Sequence, residues 1–144
     1  MIFMVVVRNG SEKDKQDLLN KYPDLKKFFV MCDTGYLIVA ERENDIIGFL
    51  WAYKRDIPAP VEAQEMFINA IEIFNTELRC QGIGTQMVQK IIEIARTEHV
   101  HQVRASVQIG NIASHRLWFK NKFSISPVKM PDADIVGSFV SFVL

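Results

Sequence analysis

The sequence predicts a mixed α/β fold with the element order β-α-α-β-β-β-α-β-α-β-β, in a single domain over residues 1–144. Three observations carry this. Two apolar runs, Tyr36 to Ala40 and Ile46 to Tyr53, flank the polar stretch Glu41-Arg42-Glu43-Asn44-Asp45 and read as an antiparallel hairpin. The stretch from Met66 to Ala95 begins with strand composition, passes a glycine-bearing turn at Arg79-Cys80-Gln81-Gly82-Ile83-Gly84, and continues with helical periodicity. Val103 to Gln108 then supplies the second strand of a β-α-β unit. A hairpin meander that leads into β-α-β makes a mixed sheet, with helices on both faces.

Each element has its own signal. Ile2 to Val7 is rich in β-branched residues and reads as the first strand. Ser11, followed by Glu12, Asp14 and Asp17, marks a capped helix start with Leu18 and Leu19 facing inward. Pro23 breaks that helix. Leu25, Phe28, Phe29 and Met31 suggest a second, short one ending near Asp33-Thr34-Gly35. After the hairpin, Ile57-Pro58-Ala59-Pro60 is a rigid connection that cannot be strand interior. In the central strand Ile68, Ala70, Glu72 and Phe74 share one face, with Asn69, Ile71, Ile73 and Asn75 on the other. The helix after Gly84 places Met87, Val88, Ile91, Ile92 and Ala95 on an apolar stripe and Gln86, Gln89, Lys90, Glu93 and Arg96 toward solvent. Asn111 sits at the N-cap of a helix through Phe119. Phe123 to Met130 and Phe139 to Leu144 are the last strands, joined by Pro131-Asp132-Ala133-Asp134.

Composition narrows the function. Lys+Arg and Asp+Glu both total 17, so no global field draws nucleic acid or an anionic membrane. Cys32 and Cys80 are too few for a disulfide framework and lack metal-ligand spacing, so no metal is expected. The apolar run Met1 to Val7 is too short for a signal-peptide core, and no later run reaches membrane-spanning length. A cytoplasmic protein is the expectation.

The turn before the long helix is built to hold an anion. The first helical turn leaves backbone N–H groups without partners, the helix dipole adds partial positive charge there, and glycine lets a ligand approach closely. Three phosphate loops can be compared with it. A P-loop needs Lys before its Ser or Thr, and none precedes Thr85. The dinucleotide fingerprint needs a third small residue where Met87 stands, and an acidic residue at the end of the next strand, which Val103-Arg104-Ala105-Ser106-Val107 lacks. The pattern Arg/Gln-x-x-Gly-x-Gly/Ala is met by Arg79, Gly82 and Gly84.

That pattern, in that context, resembles the pyrophosphate loop of the GNAT superfamily of acyl-CoA-dependent N-acetyltransferases. A second match follows in the Asn-led helix. The family's Asn-x-x-Ala-x-x-Leu-Tyr-Glu-Lys-x-Gly-Phe corresponds to residues 111–123, where Asn111, Leu117, Lys120 and Phe123 agree and Ser114 fills the alanine place. Lys122 replaces the glycine before Phe123. The resemblance is strongest over residues 65–123 and implies a GNAT-like fold across almost the whole chain.

The resemblance implies acetyl-CoA as co-substrate and an amine as acceptor, with a homodimer left open as the assembly. N–H groups of Cys80, Gln81, Gly82, Ile83, Gly84 and Thr85, with Arg79, would hold the CoA pyrophosphate. Main-chain groups of Phe74, Asn75 and Thr76 would bond the pantetheine arm as though it were a strand, in the cleft where this strand and the one ending near Val107 splay apart. Asn111 would contact the arm from the other side, and a backbone N–H near Phe74 would serve the oxyanion. Direct attack by a neutral amine needs a base, oxyanion donors and an acid for the thiolate. Glu72 is the candidate base, with a solvated strand glutamate as the plain alternative. The family's tyrosine acid aligns with Trp118, whose indole N–H delivers no proton at neutral pH; Trp118 is then core, or a wall of the cleft. Water or Tyr53 could serve instead, since a thiol pKa near ~8.5 makes the thiolate a tolerable leaving group. The protein could also be a CoA-binding module with little transfer. His115, one helical turn before Trp118, is either structural or turned to the cleft, and Cys80 is a filler open to mixed disulfides. Proteins of this shape place the acceptor between the Tyr22 to Gly35 region and the loop before Phe139. Glu62, Glu65, Asp132 and Asp134 hint at a cationic acceptor.

Overall fold

A computed structural model describes residues 4–29, 34–79, 81–108, 110–129 and 135–144. Among them the strands are β1 (Val6–Asn9), β2 (Tyr36–Arg42), β3 (Asp45–Ile57), β4 (Ala63–Ile73), β5 (Gln102–Gln108), β6 (Ser124–Lys129) and β7 (Ile135–Val143). The helices are α1 (Glu12–Lys21), α2 (Lys26–Phe29), α3 (Ile83–Thr97) and α4 (Ile112–Lys120). The order along the chain is the predicted one. The sheet runs β1-β2-β3-β4-β5-β7-β6 and is mixed: β4 and β5 are parallel, while β1/β2, β2/β3, β5/β7 and β6/β7 are antiparallel. Backbone contacts divide the chain into two units, Met1–Tyr53 with Asn69–Ile91, and Lys54–Ile68 with Ile92–Leu144.

In the first unit the hairpin turn is tighter than the polar pentad suggested. Arg42 pairs with Asp45, leaving only Glu43 and Asn44 as the turn, at φ 52° and 64°. Two positive φ values match the twist of the flanking strands, and Asn tolerates that region well. Alternate residues Leu37, Val39, Phe49 and Trp51 join Leu18, Leu25 and Phe29 in one buried cluster, so α1 and α2 cover that face. Ile38, Ala40, Leu50 and Ala52 are also buried, and strand residues of alternate parity point to opposite faces, so both faces of β2 and β3 are covered.

The first strand departs from the expectation. It runs from Val6 to Asn9, two residues past the expected end at Val7; Ile2 and Phe3 lie outside the described residues. Arg8 is admitted because its charge is paired twice, to Asp14 at 2.7 Å and to Glu41 at 2.6 Å. Asp14 also completes a capping box, accepting from the Ser11 N–H at 2.7 Å while the Ser11 hydroxyl accepts from the Asp14 N–H at 3.2 Å.

In the second unit β5 runs between β4 and β7. Its parallel ladder with β4 covers Glu65–Ile68 against Gln102–Ala105, and its antiparallel ladder with β7 runs from Gln102↔Val143 to Gln108↔Gly137. At Gly137 the two backbones approach so closely that a Cβ would collide with the Val107 carbonyl. Glu65 is 2% exposed and satisfied on both oxygens, by Arg55 Nε at 2.6 Å and Gln102 Nε2 at 2.8 Å. The Arg55 guanidinium lies 3.7 Å from the Phe67 ring centroid, so its own burial cost is partly offset. Among the described residues no helix is long and apolar enough to cross a membrane.

Candidate functional site

The anion turn is assembled from three local decisions. β4 stops at Ile73 and gives way to a 3-10 turn over Thr76–Leu78. That turn is capped by Asn75, whose side-chain oxygen accepts from the Glu77 N–H at 2.9 Å. The chain then passes through Arg79 and Gln81 to Gly82; Cys80 lies outside the described residues. Gly82 has φ +82°, the left-handed region that costs any other L-residue energy. A Cβ there would meet nothing within 4 Å. Backbone conformation therefore selects the glycine, and the space beside it is open.

Gly82 is also the N-cap of α3, its carbonyl accepting from the Gln86 N–H at 3.0 Å. The helix begins at Ile83, so Ile83 and Gly84, expected before it, lie in its first turn with Thr85. The N–H groups of Ile83 and Gly84 have no carbonyl four residues back within the helix, and glycine has no side chain to cap them. Ile83 buries its side chain, which leaves its N–H as its contribution to the turn. Arg79 is exposed and donates from Nε and Nη2 to the Ile73 carbonyl at 3.4 Å and 3.3 Å. Gln81 donates to the Glu77 carbonyl at 2.9 Å. An open left-handed glycine, a helix N-terminus and an exposed guanidinium fit a diphosphate.

The strand before the turn is arranged differently from the expectation. Phe74 to Thr76 is the transition out of the strand, and the carbonyls of Asn75 and Thr76 accept from the Leu78 and Arg79 N–H groups at 3.0 Å and 3.2 Å. The Phe74 N–H donates to the Ile47 carbonyl at 2.9 Å, so that group is not free to serve an oxyanion. The Phe74 ring stacks on Tyr22, with centroids 4.1 Å apart and planes at 17°, and packs against Phe49. Asn69 donates to the Phe28 carbonyl at 2.9 Å. Glu72 is exposed and takes part in none of the ion pairs among the described residues.

The second unit holds the other predicted residues. Asn111 caps α4, accepting from the Ser114 N–H at 3.1 Å, and is exposed. Trp118 is 1% exposed, packs on Phe123 at 4.9 Å, and spends its Nε1–H on the Ser114 hydroxyl at 3.1 Å. It is core. Its neighbour one turn back, His115, is half-buried and bonded at both nitrogens: Nδ1 to the Asn111 carbonyl at 2.8 Å and Nε2 to the Ser138 hydroxyl at 3.2 Å. Ser138 carried no signal in the sequence, since it lies on another element, 23 residues away. Glu65, read as a hint toward a cationic acceptor, is instead buried and neutralised by Arg55. Asp132 and Asp134 lie outside the described residues.

Known proteins resemble this chain in sequence and in fold. The L-2,4-diaminobutyric acid acetyltransferase of Shouchella clausii is 30% identical over 96 residues, 65% of this chain and 51% of that protein. The chain thus spans about half the length of that relative. An IAA acetyltransferase from Bacillus cereus superposes with a TM-score of 0.70 at 17% identity, covering 98% of this chain and all of the other. A GNAT family acetyltransferase from Elizabethkingia anophelis, solved with acetyl-CoA bound, gives 0.68 at 18% identity, covering 97% and 98%. These likenesses show the fold. The Acetyltransferase (GNAT) family profile matches residues 7–123, from β1 past the anion turn to the end of the Asn111 motif, and so the chain belongs to the GNAT acetyltransferase family.

Proposed function

We propose that this protein transfers the acetyl group of acetyl-CoA to a primary amine of a small molecule or peptide. The observation that carries this reading is the head of α3, where Gly82 sits at positive φ with open space beside it, next to an exposed arginine. The CoA diphosphate is held by the N–H groups of Gly82, Ile83 and Gly84, with Gln81 and Thr85 at the margins and Arg79 adding charge. The pantetheine amides lie along the extended backbone leading into Phe74, Asn75 and Thr76. Glu72, exposed and outside any ion pair among the described residues, takes the proton of the incoming ammonium directly or through water.

Calorimetry with acetyl-CoA, followed by thiol release across a panel of amines, tests the reading. L-2,4-diaminobutyrate heads that panel because it names the Shouchella relative. Polyamines, other amino acids and peptide N-termini complete it. Failure to bind acetyl-CoA would sink the proposal. Binding with no turnover on any amine would favour a second reading, a CoA-binding module, to which the buried Trp118 at the family's acid position lends support.

A further inference from the structure

We propose that the outer face of β5, β7 and β6 carries an anion site, centred on Arg104 and shaped for a phosphate group, free or as a monoester. Its residues all belong to the second unit, whereas the glycine turn before α3 belongs to the first. The inference does not depend on the transferase reading.

Strand register assembles the site. Arg104, Ser141 and Ser124 are direct partners across β5, β7 and β6, and Ser106, Phe139 and Ser126 form the next row on the same face. The opposite face is the covered one: Val103, Ala105, Val107 and Val140 are buried there, and Ser138 meets His115 of α4. On the outer face Ser106, Ser124 and Ser126 are exposed, while Arg104, Phe139 and Ser141 are half-buried. The Arg104 guanidinium reaches one row along and lies over the Phe139 ring, 4.0 Å from its centroid. Ser106 and Ser126 flank that ring from the neighbouring strands.

What sets this arginine apart is the company it lacks. Arg8 is paired to Asp14 and Glu41. Arg55 lies over Phe67 much as Arg104 lies over Phe139, yet its Nε–H is given to Glu65. Among the described residues Arg104 makes no ion pair and no hydrogen bond, and no hydrogen bond engages the hydroxyls of Ser106, Ser124, Ser126 or Ser141. Glu65, whose partner Gln102 stands one row from Arg104, is already taken up by Arg55 and Gln102. The ring contact therefore holds a guanidinium in place without using its donors.

The ligand class follows from the donor set. A carboxylate places both of its oxygens in the guanidinium fork and leaves the serines idle. A phosphate group fills the fork with two oxygens and has others to accept from hydroxyls. Neighbouring strands lie about 4.8 Å apart, so Ser106 and Ser126 each stand one strand spacing from Phe139, over which the guanidinium sits.

Titration of the full chain with phenyl phosphate, inorganic phosphate and benzoate tests the site, followed by nitrogen-15 NMR at the Arg104 Nε–H and the amides of β5 and β7. Saturable shifts should centre on Arg104, Ser106 and Phe139, with either phosphate bound about tenfold more tightly than benzoate. Tighter binding of phenyl phosphate would assign the site to a monoester, and tighter binding of inorganic phosphate to the free ion; both support it. Saturating acetyl-CoA should leave the shifts unchanged. Arg104→Gln should abolish saturation, and Phe139→Leu should weaken binding several-fold. Ser126→Asp supplies the missing carboxylate, so it should abolish phosphate binding while the melting temperature holds or rises. That variant keeps the test decisive if Arg104→Gln fails to fold. Shifts that never saturate, equal affinity for benzoate, displacement by acetyl-CoA, or full binding in Ser126→Asp would each overturn the inference.

Discussion

The Arg79 guanidinium reaches back to the Ile73 carbonyl with two bonds of 3.3 Å and 3.4 Å, joining the start of the anion turn to the end of β4. Both are long for hydrogen bonds and the side chain is exposed, so the contact is weak and easily exchanged for a phosphate. Replacing Arg79 by Ala should shift thermal stability by less than ~0.5 kcal/mol. The same change should weaken acetyl-CoA binding by about tenfold, the usual scale for one charge-assisted contact. Calorimetry beside a thermal melt separates the two effects, and a large stability loss would contradict this account.

Gly82 makes the opposite kind of prediction. Alanine would fit sterically, since nothing lies within 4 Å of a Cβ, but it would have to adopt φ +82°. The left-handed conformation costs an L-residue about 1–2 kcal/mol. Gly82→Ala should lose that much stability, Gly82→Asn distinctly less, and both should bind acetyl-CoA more weakly. A neutral alanine variant would mean that the turn relaxes to another conformation.

The Arg8–Asp14–Glu41 cluster sets an acid limit on stability. The hydrogen bond from Arg8 is the main cause holding the Asp14 carboxyl far below the usual carboxylate range, with the Ser11 N–H and hydroxyl assisting. A depressed folded pKa contributes stability that is complete above the unfolded value of about 3.9 and is lost as pH falls through the folded value. Unfolding followed from pH 7 into strong acid should therefore show a loss that begins near pH ~4. Asp14→Asn should cost about 1–3 kcal/mol at neutral pH and flatten that acid limb. An unchanged acid limb in the variant would place the titration elsewhere.

Glu72 stands or falls on a pH–rate profile. If its carboxylate takes the ammonium proton, Glu72→Gln should lower kcat by at least ~10²-fold and alter the rising limb of the profile. An unchanged profile returns Glu72 to the status of a solvated strand residue, which its exposure also allows.

Trp118 tests the packing reading. Trp118→Tyr would install a phenol at the family's acid position. The smaller ring leaves space beside Phe123, and the bond to Ser114 is lost. We expect about 1–3 kcal/mol of destabilisation with no gain in kcat, measured by denaturant unfolding and steady-state rates. A faster enzyme would show that position 118 faces the reacting sulfur.

What could be read from the sequence was what local spacing controls. The hairpin, the apolar stripe of α3, the Asn111 cap and the glycine turn each depend on residues within one or two turns of each other. Boundaries slipped where a distant partner decided them. β1 continues past Val7 through Arg8, which is paired to Asp14 and to Glu41, the latter 33 residues away. Glu65 looked like a free carboxylate for the same reason: Arg55 and Gln102 converge on it from separate strands. At the candidate site, the glycine turn was legible because one backbone conformation demands glycine. The pairing of His115 with Ser138 was not, because the two lie on separate elements, α4 and β7, and one-dimensional spacing carries no trace of it.

Gly137 leaves a mark on how this chain can vary. Because any Cβ at that position would strike the Val107 carbonyl, substitution there must push β7 off β5 rather than simply fill space. In a saturation library selected for folded protein, position 137 should return almost purely glycine, while Gly82 admits a small Asn minority. Ser138, the next residue, rides on the same segment, so even conservative replacements at 137 would also carry its hydroxyl away from His115.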